Sequence, residues 1–131
     1  MRVRAKELSL ILSNLRDLDN PKPEFEQWTT PPNIAGWILA YAYEQGDIDG
    51  KICADFGCGN GIFAIGMALL GASKVLAVDI DGDAIAVARK NAEYMENLYG
   101  PLPITFCISD VRDVDIKCDT IIMNPPFGTH R

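Results

Sequence analysis

The chain has 131 residues, nearly half of them apolar, and carries a formal net charge of −6. That length and apolar share support one folded domain with a real core and exclude a disordered tail as the main content. The acidic balance argues against sequence-independent capture of a nucleic-acid backbone by this chain's own surface, because such capture takes a face rich in lysine and arginine. A nucleic-acid substrate stays open if a partner or a further segment supplies the positive charge.

The first segment, RVRAKELSLILSNL, places Leu8, Ile11, Leu12 and Leu15 at helical spacing between charges, which predicts an amphipathic helix packed on a larger body. DNPKPEFEQWTTPPN follows, rich in proline and turn formers, and reads as a loop. Pro31 and Pro32 then open a helix through NIAGWILAYAYEQ, with Gly46 as its stop. From Lys51 the texture changes. KICADFG, KVLAVDID, ITFCISDV and CDTIIMN read as short buried strands, and IFAIGMALLG and GDAIAVARKNAEYMEN read as helices between them. A Gly-Pro-x-Pro turn leads into the third strand, and 113–117 is an acidic connection too short for a full helix. Apolar strands alternating with helices predict a parallel sheet covered on both faces.

The four cysteines, Cys53, Cys58, Cys107 and Cys118, form no Cys-x-x-Cys pair, and the single histidine is His130. That set suits neither a zinc site nor a disulfide framework, so no metal is expected and the cysteines read as reduced, mostly buried apolar residues. No signal peptide precedes residue 1, and no apolar run reaches the ~18 residues of a membrane span. A soluble, cytoplasmic protein is the expectation.

The first strand runs into DFGCGNG, and a helix follows at once. Gly57, Gly59 and Gly61 let the backbone turn sharply and approach a ligand with no Cβ in the way. A nicotinamide dinucleotide would require a third glycine at position 62, which is Ile62, and the nucleotide-triphosphate signature Gly-Lys-Ser/Thr is absent. What remains, Asp55-x-Gly-x-Gly-x-Gly, resembles the first motif of methyltransferases that use S-adenosylmethionine. A tight turn that binds nothing is the competing interpretation. Asp79 ends the second strand, where a carboxylate can accept from both ribose hydroxyls of any adenosine cofactor. Asp81 reads as a turn or helix-cap residue. Asp110 ends the third strand, where it could accept from an adenine amine or simply cap the strand end.

The fourth strand leads into Asn124-Pro125-Pro126-Phe127. A planar amine such as adenine N6 is a poor nucleophile because its lone pair is delocalised into the ring. Two carbonyl acceptors, the Asn124 side chain and the Pro125 main chain, can take its N–H groups and turn the lone pair toward a methyl donor. The prolines stiffen the turn, and Phe127 offers a stacking face. This chemistry needs neither a general base nor a metal.

EQWTTPPNIAGWIL, ADFGCGNGIFAIG, AVDIDGDAI and IMNPPFGTHR together resemble the methyltransferase-like protein 5 family and its archaeal relatives, from about residue 4 to the end. The resemblance implies a Rossmann-like class I methyltransferase acting on adenine N6 of RNA, in particular small-subunit ribosomal RNA, with S-adenosyl-L-methionine as cofactor. It also implies a small zinc-binding activator subunit of the Trm family as partner. By matching positions it assigns Gln27 and Thr30 to the cofactor's methionine end, and Asp55, Gly57, Gly59, Asn60 and Ile62 to the loop around it. Asp79 falls to the ribose, Asp110 and Val111 to the adenine, and Asn124 to Phe127 to catalysis. The family's sheet has seven strands, in the order 3-2-1-4-5-7-6. The expected α/β architecture is thus a single, incomplete domain truncated after the fourth parallel strand, with an N-terminal helical and cofactor-lid segment (1–46) and a Rossmann-like core (51–131). Glutamine-N5 methylation of a protein, and a non-catalytic cofactor-binding or scaffold fragment, remain as alternatives.

Overall fold

A computed structural model of the chain describes residues 4–19, 22 and 29–123. Four parallel strands, β1 (Ile52–Phe56), β2 (Lys74–Asp79), β3 (Ile104–Ile108) and β4 (Thr120–Met123), make one sheet in the order β3-β2-β1-β4. Cys53 lies beside Val75 on one side and Thr120 on the other, and Val75 lies beside Ile104. Four helices accompany the sheet: α1 (Ala5–Leu12), α2 (Pro32–Glu44), α3 (Ile62–Leu69) and α4 (Gly82–Tyr99).

The register decides which side chains form the core. Cys53, Val75, Ala77, Ile104, Phe106 and Ile122 share one face and join the main apolar cluster with α3 and α4. Helix α3 is buried nearly all round, which fits its unbroken apolar run. The opposite face departs from the expected two-sided cover. There Ala54 and Val78 are fully buried, but Ile121 and Met123 are about half exposed. The physical reason is topological. The helices between β1, β2 and β3 lie on one face, and the reversed step from β3 to β4 must cross the other. In that step the chain forms only a 3-10 turn at Val111–Asp113, as its shortness predicts.

The first two helices reach the sheet through α3. Gly36 of α2 lies so close to α1 that a Cβ there would stand 2.1 Å from Ser9 Oγ and 2.8 Å from the Ala5 carbonyl. Gly66 of α3 likewise admits the fully buried Leu39 of α2, whose Cδ1 would be 2.3 Å from an added Cβ. Helix α1 stops short of the predicted Leu15, because the Ser13 and Asn14 side chains donate to the carbonyls of Leu10 and Ile11. Leu15 still packs against the core. Pro32 opens α2 from an extended Pro31, and α4 runs two residues beyond its predicted end before Gly100 stops it.

Candidate functional site

The carboxyl ends of the four parallel strands lie at one end of the sheet. β2 and β3 follow on one side of β1 and β4 lies on the other, so the crevice beside β1 is the topological switch point at which ligands of open α/β sheets bind. The glycine loop leaves β1 at this place. Gly57, Gly59 and Gly61 have φ of 82°, 53° and 86°, a region that side chains with a Cβ rarely occupy.

Four of the loop's main-chain donors are taken up by the end of β2 and by the loop itself. Gly57 and Cys58 N–H both donate to the Val78 carbonyl, at 2.8 and 2.9 Å, and Gly61 N–H donates to the Cys58 carbonyl at 2.8 Å. Gly59 N–H donates to Asp79 Oδ2 at 2.8 Å. At the start of α3, Asp55 Oδ2 accepts from Ala64 N–H at 3.0 Å, and Asn60 Oδ1 accepts from Ile62 N–H at 3.3 Å. A pyrophosphate cradle works the other way, with free N–H groups and an uncompensated helix terminus aimed at the anion. Here a carboxylate already sits under that terminus.

Asp55 is 1% exposed, and burial, assisted by the Asp79 charge and opposed by the Ala64 N–H, pushes its carboxyl up to about 7. Its visible part is thus a buried helix cap. Cys58 is also buried, and burial together with Asp55 and Asp79 drives its thiol far up, so it is no nucleophile. Cys53 is buried and raised to about 11 by burial foremost, whereas Cys107 and Cys118 are only half-buried; all four thiols are free.

Asp79 stands at the end of β2 as expected, and both its oxygens hold the loops, with Oδ1 accepting from Asp81 N–H at 2.9 Å. Each oxygen keeps a second lone pair for a hydroxyl donor. Asp81 caps α4 by accepting from Asp83 N–H and also binds Lys22 Nζ at 2.8 Å, which bears out the cap reading. The same ammonium reaches Asp83 at 2.9 Å, and the two carboxylates hold it well above the usual lysine range. Asp110 caps the 3-10 turn that starts at the half-buried Val111. The Arg112 guanidinium and N–H hold its carboxyl down at about 2, so it is an ionised acceptor already shared with an arginine. Thr30 is half-buried just before α2. Gln27 and the expected catalytic turn, Asn124 to Phe127, lie outside the described residues.

One site residue escaped sequence reasoning. Asn91, on α4, is 2% exposed and donates to the main chain of Asn60 in the glycine loop. The available signal was its position on the apolar stripe of α4, between Ala88, Ala92 and Met95, where a polar residue needs a reason.

A four-stranded parallel sheet with this loop at its switch point defines a Rossmann-like class I methyltransferase. The family model for ribosomal protein L11 methyltransferase (PrmA) matches residues 39–124. The rRNA N(6)-adenosine-methyltransferase METTL5 of Danio rerio is 40% identical over 97% of this chain and 62% of its own length. The crystal structure of PH1948 from Pyrococcus horikoshii superposes with a TM-score of 0.88 at 41% identity, over 98% of this chain and 62% of that one. Magnesium protoporphyrin IX methyltransferase from Synechocystis, solved with bound S-adenosylmethionine, gives 0.61 at 30% identity over 69% of this chain and 42% of that one. The chain belongs to the family that the ribosomal protein L11 methyltransferase (PrmA) model describes, and over nearly its whole length it is similar to methyltransferase-like protein 5. It spans 61% to 62% of the length of the curated relatives that it matches from end to end.

Proposed function

We propose that this protein takes part in methyl transfer from S-adenosylmethionine to adenine N6 of RNA, with small-subunit ribosomal RNA as the substrate. The observation that carries the reading is the glycine loop. The N–H groups of Gly57, Cys58, Gly59 and Gly61 are already paired and Asp55 caps the following helix, which favours a nucleoside without phosphates. The residues fit that cofactor: no atom outside the loop lies within 4 Å of the place a Gly59 Cβ would take, and Asp79 retains acceptor capacity for ribose hydroxyls.

When bound, S-adenosylmethionine supplies an electrophilic methyl group on a sulfonium. The chain's part is to hold and orient. Asp79 holds the ribose and Asp110 with Val111 borders the adenine, while Gln27 and Thr30 border the methionine end. The carbonyls of Asn124 and Pro125 accept the target amine's hydrogens and aim its lone pair, Pro126 stiffens the turn, and Phe127 stacks on the base. A small zinc-binding activator of the Trm family as partner, and a cytoplasmic site of action, belong to the same reading. No helix among the described residues is long and apolar enough to cross a membrane.

Calorimetric titration with S-adenosylmethionine, with NAD as control, tests the donor site. Micromolar binding of the first alone supports it, and binding of NAD alone overturns it. The match to a ribosomal protein L11 methyltransferase model favours a second reading, in which the acceptor is an amine or amide of a protein. Incubation with labelled donor separates the two by yielding methylated nucleoside or methylated peptide.

A further inference from the structure

We infer that Asn91 is a positioning residue for the glycine loop: its buried amide pins Asn60 between two left-handed glycines and so keeps the loop in its donor-binding shape. The inference rests on the methyl-donor reading of that loop. Asn91 Nδ2 donates to the Asn60 carbonyl and to the Arg16 carbonyl, both at 2.9 Å, and Oδ1 accepts from Arg16 N–H at 2.9 Å. Asn60 closes the set from the other side, because its own Nδ2 donates to the same Arg16 carbonyl at 2.9 Å. Three segments far apart in sequence therefore meet at two side-chain amides that are 2% and 4% exposed. Toward Arg16 the Asn91 amide acts as a neighbouring strand would, matching both main-chain groups of one residue.

The need for such a pin follows from the loop's composition. Gly59 and Gly61, at φ of 53° and 86°, flank Asn60 and give the free loop many conformations. Freezing them at the moment of binding would be subtracted from the affinity for any ligand, so prior fixation favours binding. Asp79 fixes the loop at Gly59, and Asn91 fixes the next residue from α4, an 18-residue helix. Packing alone would favour an aliphatic side chain on that stripe, because a buried amide is costly unless fully bonded. Here both kinds of group on the amide are engaged, and both lead to the loop or to the segment that holds it.

The test compares Asn91→Ala with Met95→Ala, a fully buried core truncation one turn further along the same helix. Both are expected to lower Tm. Only Asn91→Ala is expected to weaken S-adenosylmethionine binding, by about tenfold, the size that follows from leaving a buried group unpaired. Only Asn91→Ala should speed trypsin cleavage after Arg16, whose side chain is 65% exposed while its carbonyl is clamped. Equal donor affinity in the two variants at matched folded fraction overturns the inference. If Asn91→Ala does not fold, hydrogen exchange of the wild-type Arg16 amide takes its place: reciprocity requires bound donor to slow that exchange, and no slowing overturns the inference. A wild-type protein that gives no heat with S-adenosylmethionine refutes the donor reading itself. The clamp then stands or falls on the Arg16 cleavage rate alone.

Discussion

Replacing Asp55 by asparagine should stabilise this protein above neutral pH and do so progressively less as the solution is acidified. Burial raises the folded-state carboxyl from 3.8 to about 7, with the Asp79 charge adding to it and the Ala64 N–H opposing it. A raised folded pKa means that the native state binds the proton more tightly than the unfolded chain. The stability that this one group contributes is therefore greatest below pH ~4, falls as pH rises toward 7, and levels off above that value. Each tenfold in proton affinity is worth ~1.4 kcal/mol, so ionising this buried group costs about 4 kcal/mol at pH 8. Asparagine keeps an oxygen for the Ala64 N–H and does not titrate, which removes the slope that Asp55 contributes. For a chain of this length that difference corresponds to a Tm separation on the order of 10 °C at pH 8. The assay is thermal unfolding of both proteins from pH 5 to 8, in which all other titrating groups are shared. Parallel Tm curves across that range, or curves that converge as pH rises, would refute the reasoning.

Gly36→Ala should cost ~1–3 kcal/mol, because the new methyl meets Ser9 Oγ and, less escapably, the Ala5 main-chain carbonyl. The expected helix-propensity gain of ~1 kcal/mol is too small to compensate, and an unchanged urea midpoint would count against the α1–α2 contact. Gly59→Ala should lose only ~1–2 kcal/mol of stability to its left-handed backbone, since nothing crowds the position, yet it should lose most affinity for S-adenosylmethionine. Retained affinity in calorimetry would show that the donor does not approach this loop. Arg112→Ala should let the Asp110 carboxyl rise from about 2 toward the ordinary carboxylate range, read by an NMR titration of that side chain. An unmoved titration would mean that the guanidinium is not what holds it down.

The succession of strands and helices was legible because each apolar run is short, continuous and bounded by glycine, proline or an acid. DFGCGNG announced a sharp turn at the end of β1, and the three positive φ angles are that turn. Less legible was how the loop is used. The family resemblance assigns Asp55 and Asn60 to a ligand, but their side-chain bonds go to the N-terminus of α3 and to Arg16. Asp79 and Asp110 stand where their strand ends predict, each already holding a neighbour, Gly59 in one case and Arg112 in the other. Asn91 was missed because its partners lie 31 and 75 positions away.

The division has a physical basis. Hydrophobic period, glycine and proline act over a few residues, so the sequence by itself determined the order of elements, the parallel sheet and the sharp glycine turn at the end of β1. It also determined the family likeness, which is carried by short contiguous motifs. Only the tertiary structure decided which face of the sheet the helices cover, because that depends on the handedness of successive crossovers. It alone decided that the N–H groups of Gly57, Cys58, Gly59 and Gly61 are already paired and that a neutralisable carboxylate lies beneath α3. Those properties arise from groups that meet through space after folding, and no local pattern encodes the meeting.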